Sequence, residues 1–360
     1  MKRIRSLDGW RALGATLVFV SHAPFTTGFP QRYAYGLADV FDGELGVRIF
    51  FVLSGFLITY LLLREADATG SMSLKRFYVR RALRILPIYF TYLAVLGLLT
   101  ALGLYRDTPS SWIGSLTFTR NMIGHGQSAT GQLWSLAVEE QFYLLWPMLL
   151  GTFALWRRPR AFVCVSVLVM VACPIIRATM MSPPGGSLID RLFGRQSGLM
   201  YADSLVVGCL GAFLVRRWEN VPAVFEAPAL KGLAIACVIG GRIVQLAVPP
   251  AWLAALIPSV QAVAIMFLIW GTAFHPPGVL SRVLNLRVVV WVGTLSYSIY
   301  VWHFLFVSNF VPRLADYWTH DWKWWMLCGI AVAAASYYGV ERPFLHLKAR
   351  FAGTEVVGVR

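Results

Sequence analysis

Apolar residues in this chain come in long runs separated by short polar links. Runs near the length needed to cross a hydrocarbon core of roughly 30 Å recur from end to end. Ten spans are predicted, near 9–26, 46–63, 83–104, 134–156, 161–180, 198–215, 231–248, 252–274, 287–308 and 324–341. The stretch 112–124 (WIGSLTFTRNMIG) is too short to span and reads as interfacial or re-entrant. No linker or low-complexity segment divides the pattern. The predicted fold class is all-α: a polytopic membrane helix bundle of about ten transmembrane helices. One domain is expected over 1–345, followed by a short cytoplasmic tail at 346–360.

Composition agrees. The chain is 58% hydrophobic and only 14% charged, against about 25% charged for a soluble domain. The start is not read as a cleaved signal, because Asp8 and Arg11 interrupt the apolar run and SHAPF offers no A-x-A site. The net charge of +15 raises nucleic acid as a partner, but the basic residues sit in the links between runs and not along one polar face. That placement is the positive-inside pattern, and no nucleic-acid partner is expected. With the N-terminus inside, the cytoplasm holds about 21 of the 32 Lys and Arg, and ten spans put both termini there. A bacterial inner membrane, with its lipid as partner, is the expected location. The five cysteines lie within apolar runs without metal-like spacing, so no metal site is expected.

Ionisable groups inside apolar runs are expensive and usually mark a pathway or a reaction site. In LDGWRALGATLVFVSH, Arg11 and His22 are eleven residues apart, roughly three helical turns, and share one face. They read either as interfacial anchors or as a pair facing a polar channel. In GVRIFFVLSGFLITYLLL, Arg48 sits at the outer edge with Ser54 and Gly55 mid-helix. Gly55 reads as a close-packing position, and Ser54 as packing or chemistry equally. The link LKRFYVRRALRILPIYF carries Lys75, Arg76, Arg80, Arg81 and Arg84, with Pro87 ending or kinking the turn. Arg81 and Arg84, one turn apart, can converge on one anion, a phosphate-bearing ligand or a lipid headgroup. In QLWSLAVEEQFYLLWP, Ser135, Glu139 and Tyr143 share a face and Glu140 points away. Glu139 is expected to pair with Arg11 or Arg48, or to orient His22. In TLSYSIYVWHF, Ser296, Tyr300 and His303 form a polar stripe, with His303 equally a core or a catalytic histidine. Glu341, in VERPF, leaves the last span beside Pro343.

Taken together, these blocks resemble the acyltransferase family 3 of integral-membrane acyltransferases. LDGWRA with R-x10-H, GVRIFFVLSGFLI, YVRRALRILPIYF, LWSLAVEEQFYLLWP, SYSIYVWHF and the E-x-P of VERPF occur in the family's order from Leu7 to Leu345. The resemblance implies transfer of an acyl group, often acetyl, from cytoplasmic acyl-CoA as co-substrate to a hydroxyl of a carbohydrate or other acceptor. It places the critical pair at Arg11 and His22 and cofactor binding at Arg81 and Arg84; help from the neighbouring Arg76 or Arg80 is expected besides. It marks Glu341–Pro343 as the E-x-P element. Longer family members carry a C-terminal hydrolase-like domain, and the form expected here is the one without it, handing on to polysaccharide-assembly proteins or to none. His22 is expected as general base, Arg11 as stabiliser of developing negative charge and Glu139 as orienting or balancing carboxylate. An acyl-histidine intermediate is the variant. Arg48, Ser54, Tyr143, Tyr300, His303 and Glu341 are expected to support substrate or structure. The rival readings are acylation of a cytoplasmic small molecule such as a macrolide, and a transporter or flippase.

Overall fold

The computed structural model describes residues 4–33, 36, 40–124, 128–180, 198–218, 221–247, 249–275 and 278–349. Among these residues the chain is helical, and an isolated bridge between Thr27 and Asp321 is the only β feature. The helices are α1 (Arg5–Ser21), α2 (Gly43–Thr69), α3 (Leu74–Ala101), α4 (Pro109–Leu116), α5 (Leu133–Thr152), α6 (Pro159–Met180) and α7 (Ala202–Arg217). There follow α8 (Pro228–Leu246), α9 (Ala251–Ala273), α10 (Val279–Leu284), α11 (Arg287–Trp302), α12 (Trp325–Ser336) and α13 (Arg342–Ala349). The expected tail beyond Ala349, with Arg350 and Arg360, lies outside the described residues, as do Lys2 and Arg3.

Among the described residues, six helical segments are long and apolar enough to cross a membrane: α2, α3, α6, α8, α9 and Arg287–Phe306. The other four expected spans fall on α1, α5, α7 and α12. With 17 and 16 residues, α1 and α7 are short for a span. After 12 residues α12 passes through a π-helical turn, Tyr337–Glu341, into α13. The outer faces carry apolar side chains in the open: on α8 alone, Leu233, Ile239 and Ile243 are each more than half exposed. Water would not tolerate such a surface, and hydrocarbon does.

Two termini explain where α2 and α3 begin and end. Asp42 caps α2 by accepting the Glu44 N–H at 2.9 Å, and Gly70 closes it at φ +73°. Ser73 then caps α3, so α3 starts nine residues before the expected span and its first turns are the basic block itself. Cations at a helix N-terminus oppose its dipole. Glu65 at the end of α2 offsets this by pairing with Arg76 at 3.0 Å and Arg80 at 3.2 Å. Pro87 does not end the helix, which continues to Ala101.

The core is organised around α2, which packs on α1, α7, α9 and α5. It crosses α7 with backbones in contact. A Cβ on Gly55 would lie 1.9 Å from the Leu205 carbonyl oxygen, and one on Gly208 would lie 2.1 Å from that of Val52. Small residues at such crossings are the usual device for close helix approach in lipid. The expected packing role of Gly55 is what the structure shows. On the far side of α7 a buried network holds three helices together. Arg177 of α6 donates to Asp203 at 2.6 Å and to Ser259 of α9 at 2.6 Å.

The 102–133 connection carries α4, which at eight residues is too short to span. It is tied to α3 by Tyr89 and Tyr92, whose hydroxyls donate to the Ser115 and Ala129 carbonyls at 2.6 Å. At its centre Asp107 accepts from the Tyr105 and Thr130 hydroxyls, both at 2.7 Å. Burial pushes the Asp107 carboxyl up, but bonds from Tyr105, Thr130, Ser128 and the Thr108 N–H outweigh it and hold it below the usual range.

Candidate active site

Two helices bring three guanidinium groups to one place. Arg11 of α1 and Arg81 and Arg84 of α3 line a cavity of about 90 Å³ between α1, α2, α3, α5 and α11. Arg11 is held by Asp8, one turn earlier, at 3.0 Å. The Arg81 guanidinium stacks 3.4 Å over the Tyr143 ring, and its buried Nε has no hydrogen-bond partner among the described residues. A guanidinium set with an unsatisfied donor suits an anionic ligand, since five N–H groups present a fork matched to phosphate or carboxylate.

The opposite wall is the α5 stripe read from the sequence. Ser135, Glu139 and Tyr143 all line the cavity, and Glu140 does not. Ser54 of α2 joins them, donating its hydroxyl to Glu139 Oε1 at 2.7 Å and accepting the Tyr143 hydroxyl at 2.7 Å. At the α11 wall, Tyr300 and Ser135 share a short hydroxyl–hydroxyl bond. Glu139 therefore pairs with Ser54, within a cavity that three cations share. The expected ion pair to Arg11 or Arg48 and the orienting contact to His22 are not the bonds it makes: Asp8 holds Arg11 and Gln261 holds Arg48.

The remaining expected residues divide. Arg76 and Arg80 point to Glu65, away from the cavity lining. Arg48 is 2% exposed and donates to Gln261 at 2.6 Å, joining α2 to α9. Glu341 sits in the π-helical turn and accepts from Ser298 of α11 at 2.9 Å. A ligand-like group of metal-binding side chains is absent among the described residues.

His22 lies at the C-terminal end of α1, as its C-cap, and is not part of the cavity lining. Its Nδ1 is 2.7 Å from the Val18 carbonyl. A carbonyl oxygen only accepts, so Nδ1 carries the proton and Nε2 is left as a lone pair in the neutral ring. His303 stands beside it with ring centroids 5.1 Å apart, and Tyr300 follows at 5.6 Å from His303. Tyr300 is thus the common wall, facing the guanidinium cavity on one side and the histidines on the other. Two polar residues of the site went unread in the sequence: Asp8, which holds Arg11, and Tyr297, which lines the cavity. Asp8 was visible as an i, i+3 partner of Arg11, and Tyr297, whose hydroxyl donates to the Ile85 carbonyl at 2.9 Å, had no signal beyond its place on α11.

An apolar helix bundle that encloses paired arginines, a carboxylate and, past one tyrosine, two imidazoles has the parts of a membrane-embedded group-transfer enzyme. The chain belongs to the acyltransferase domain family, whose model matches residues 4–340. It is similar to the peptidoglycan O-acetyltransferase OatA of Listeria monocytogenes, 28% identical over 89% of this chain and 52% of that protein. It is also similar to YrhL of Bacillus subtilis, provisionally named a peptidoglycan O-acetyltransferase, with 28% identity over 94% of this chain and 54% of the relative. A Staphylococcus aureus protein provisionally named an O-acetyltransferase is 27% identical over 96% of this chain and 58% of its own length. The chain thus spans about half the length of the curated relatives it matches. No solved structure matches it.

Proposed function

We propose that this protein is an O-acyltransferase of the bacterial inner membrane that moves an acyl group, most simply acetyl, from cytoplasmic acyl-CoA to a hydroxyl of a carbohydrate acceptor. In this reading α1, α5, α7 and α12 also cross the bilayer, giving ten spans with both termini in the cytoplasm. The observation that carries it is the cavity of Arg11, Arg81, Arg84 and Glu139 in a chain of the acyltransferase family. The relatives named for O-acetyl transfer support acetyl as the group and a glycan as the acceptor.

Arg81 and Arg84 hold the anionic part of the co-substrate through paired charge-assisted hydrogen bonds. At about 90 Å³ the cavity takes the narrow thioester end, and the nucleotide stays at its mouth. Arg76 and Arg80, already engaged by Glu65, hold the α2–α3 corner that presents the other two. Arg11 holds the thioester arm within the cavity. Glu139 balances the guanidinium charge, and Ser54 and Tyr143 fix its position. His22 Nε2 takes the proton of the acceptor hydroxyl, its tautomer set by the Val18 carbonyl. The hydroxyl oxygen bonds to the acyl carbon, the carbon–sulfur bond breaks, and the proton passes to the thiolate. Transfer requires the acyl carbon to pass the Tyr300 wall. Mass spectrometry of surface glycans from a deletion strain and its complemented counterpart tests the reading. Acyl esters lost and regained support it, and an unchanged glycan overturns it.

A further inference from the structure

The reaction just described gives the buried ionisable side chain of His303 no work. His303 is 1% exposed, and its Nε2 has no hydrogen-bond partner among the described residues. Its Nδ1 is 2.6 Å from the Tyr300 carbonyl, so the ring is fixed with its proton on Nδ1 and a bare lone pair on Nε2. His22 is anchored in the same way by Val18, one helical turn back, and the two rings meet at an interplanar angle of 62°. Buried polar atoms are normally partnered, and an exception calls for a ligand or a role. Here two neutral imidazoles stand side by side, each with its donor spent and its acceptor unused.

The surroundings narrow what can fill the gap. Phe304 meets both histidine rings edge-on, at 4.7 and 4.6 Å. Phe25 and Phe310 lie nearly parallel at 6.2 Å, and Phe25 is 37% exposed, opening the group to the outside. A cation would want a third ligand, and the described residues place no such cluster anywhere. Two bare acceptors beside aromatic faces suit a molecule with two neighbouring O–H or N–H donors and a C–H face. A sugar ring has both.

We infer that His22 and His303 together form the acceptor subsite, and that it takes a carbohydrate through two adjacent donors. This rests on the proposed transferase reading and deepens it. His22 Nε2 receives the proton of the reacting hydroxyl. His303 Nε2 accepts a hydrogen bond from the next hydroxyl or amide on the same sugar and keeps its own proton throughout. His303 is therefore a binding residue for the acceptor and takes no part in holding the thioester.

The test uses the purified full chain in liposomes with acetyl-CoA and chitotetraose as probe. His303→Leu is expected to raise KM for chitotetraose about five- to ten-fold, the loss of one neutral hydrogen bond. KM for acetyl-CoA should stay within about two-fold, and His303→Gln, whose side-chain oxygen can accept in place of Nε2, should recover most of the change. Equal KM values in wild type and His303→Leu, or a parallel rise for both substrates, would overturn the assignment. A second measurement keeps the subsite separable from turnover and from folding. Carbethoxylation of His22, the partly exposed member of the pair, mapped by mass spectrometry in the wild-type protein, should slow when chitotetraose is present. Protection without acetyl transfer would count against the transferase and leave the sugar subsite standing, whereas an unchanged modification rate sinks the subsite itself.

Discussion

Gly55→Ala adds one methyl group where α2 and α7 touch, and the structure sets how much room it lacks. The new Cβ would lie 1.9 Å from the Leu205 carbonyl oxygen, where ordinary contact begins near 3.4 Å. The helices must therefore part by about 1.5 Å, since packed backbones have little slack. If α2 takes the shift, Ser54 moves with it, and its two 2.7 Å bonds to Glu139 and Tyr143 are strained or broken. If α7 takes it, Asp203 is pulled from Arg177, to which it is bonded at 2.6 Å. Either way overpacking costs about 1–3 kcal/mol. A displacement of about 1 Å at a reacting geometry lowers turnover about a hundred-fold. The assay is thermal unfolding in detergent together with the acetyl-transfer rate, with Gly97→Ala as control because nothing lies within 4 Å of that position. Gly55→Ala should unfold earlier and transfer slowly, while Gly97→Ala should match wild type. A Gly55→Ala protein with wild-type stability and rate would refute the backbone contact on which the placement of Ser54 depends.

Other predictions concern the site and the 102–133 connection. Arg81→Ala with Arg84→Ala should raise the acetyl-CoA requirement more than the acceptor requirement in steady-state kinetics, and the opposite pattern contradicts the anion-holding role. Ser54→Ala should lower kcat with little change in either KM, because it loosens Glu139 without touching the arginines. Asp107 has a carboxyl held below its ordinary value by its hydrogen bonds. Its stabilising share is therefore complete above the unfolded pKa of about 3.9 and fades as pH falls through the folded one. Proteolytic cleavage within 102–133 should rise as pH falls through that acid window. In Asp107→Asn this acid-dependent rise should be absent, and an identical pH profile would remove the loop role.

Helix periodicity made half of the site legible. Arg81 with Arg84, and Ser135 with Glu139 and Tyr143, were each read as one face, and each face lines the cavity. Partner choice between helices was not legible, because it depends on which elements meet in space. Glu65 takes Arg76 and Arg80, and Gln261 takes Arg48, although the residues of each pair lie in different helices. The separation of Arg11 from His22 was hidden for a related reason. One helix face carries both, yet Tyr300, from α11, stands between the cavity and the histidines. The early start of α3 was visible in Ser73, a good N-cap residue, but the hydropathy pattern alone put the boundary at the apolar run.

The central claim is that a co-substrate held by guanidinium groups loses its acyl group to a hydroxyl deprotonated by His22. Its most direct test is radiolabelled acetyl transfer by the purified chain in liposomes, comparing wild type with His22→Ala while confirming that both remain folded and inserted. The account predicts labelled sugar ester from wild type and none above background from His22→Ala. Equal label from the two proteins would contradict it.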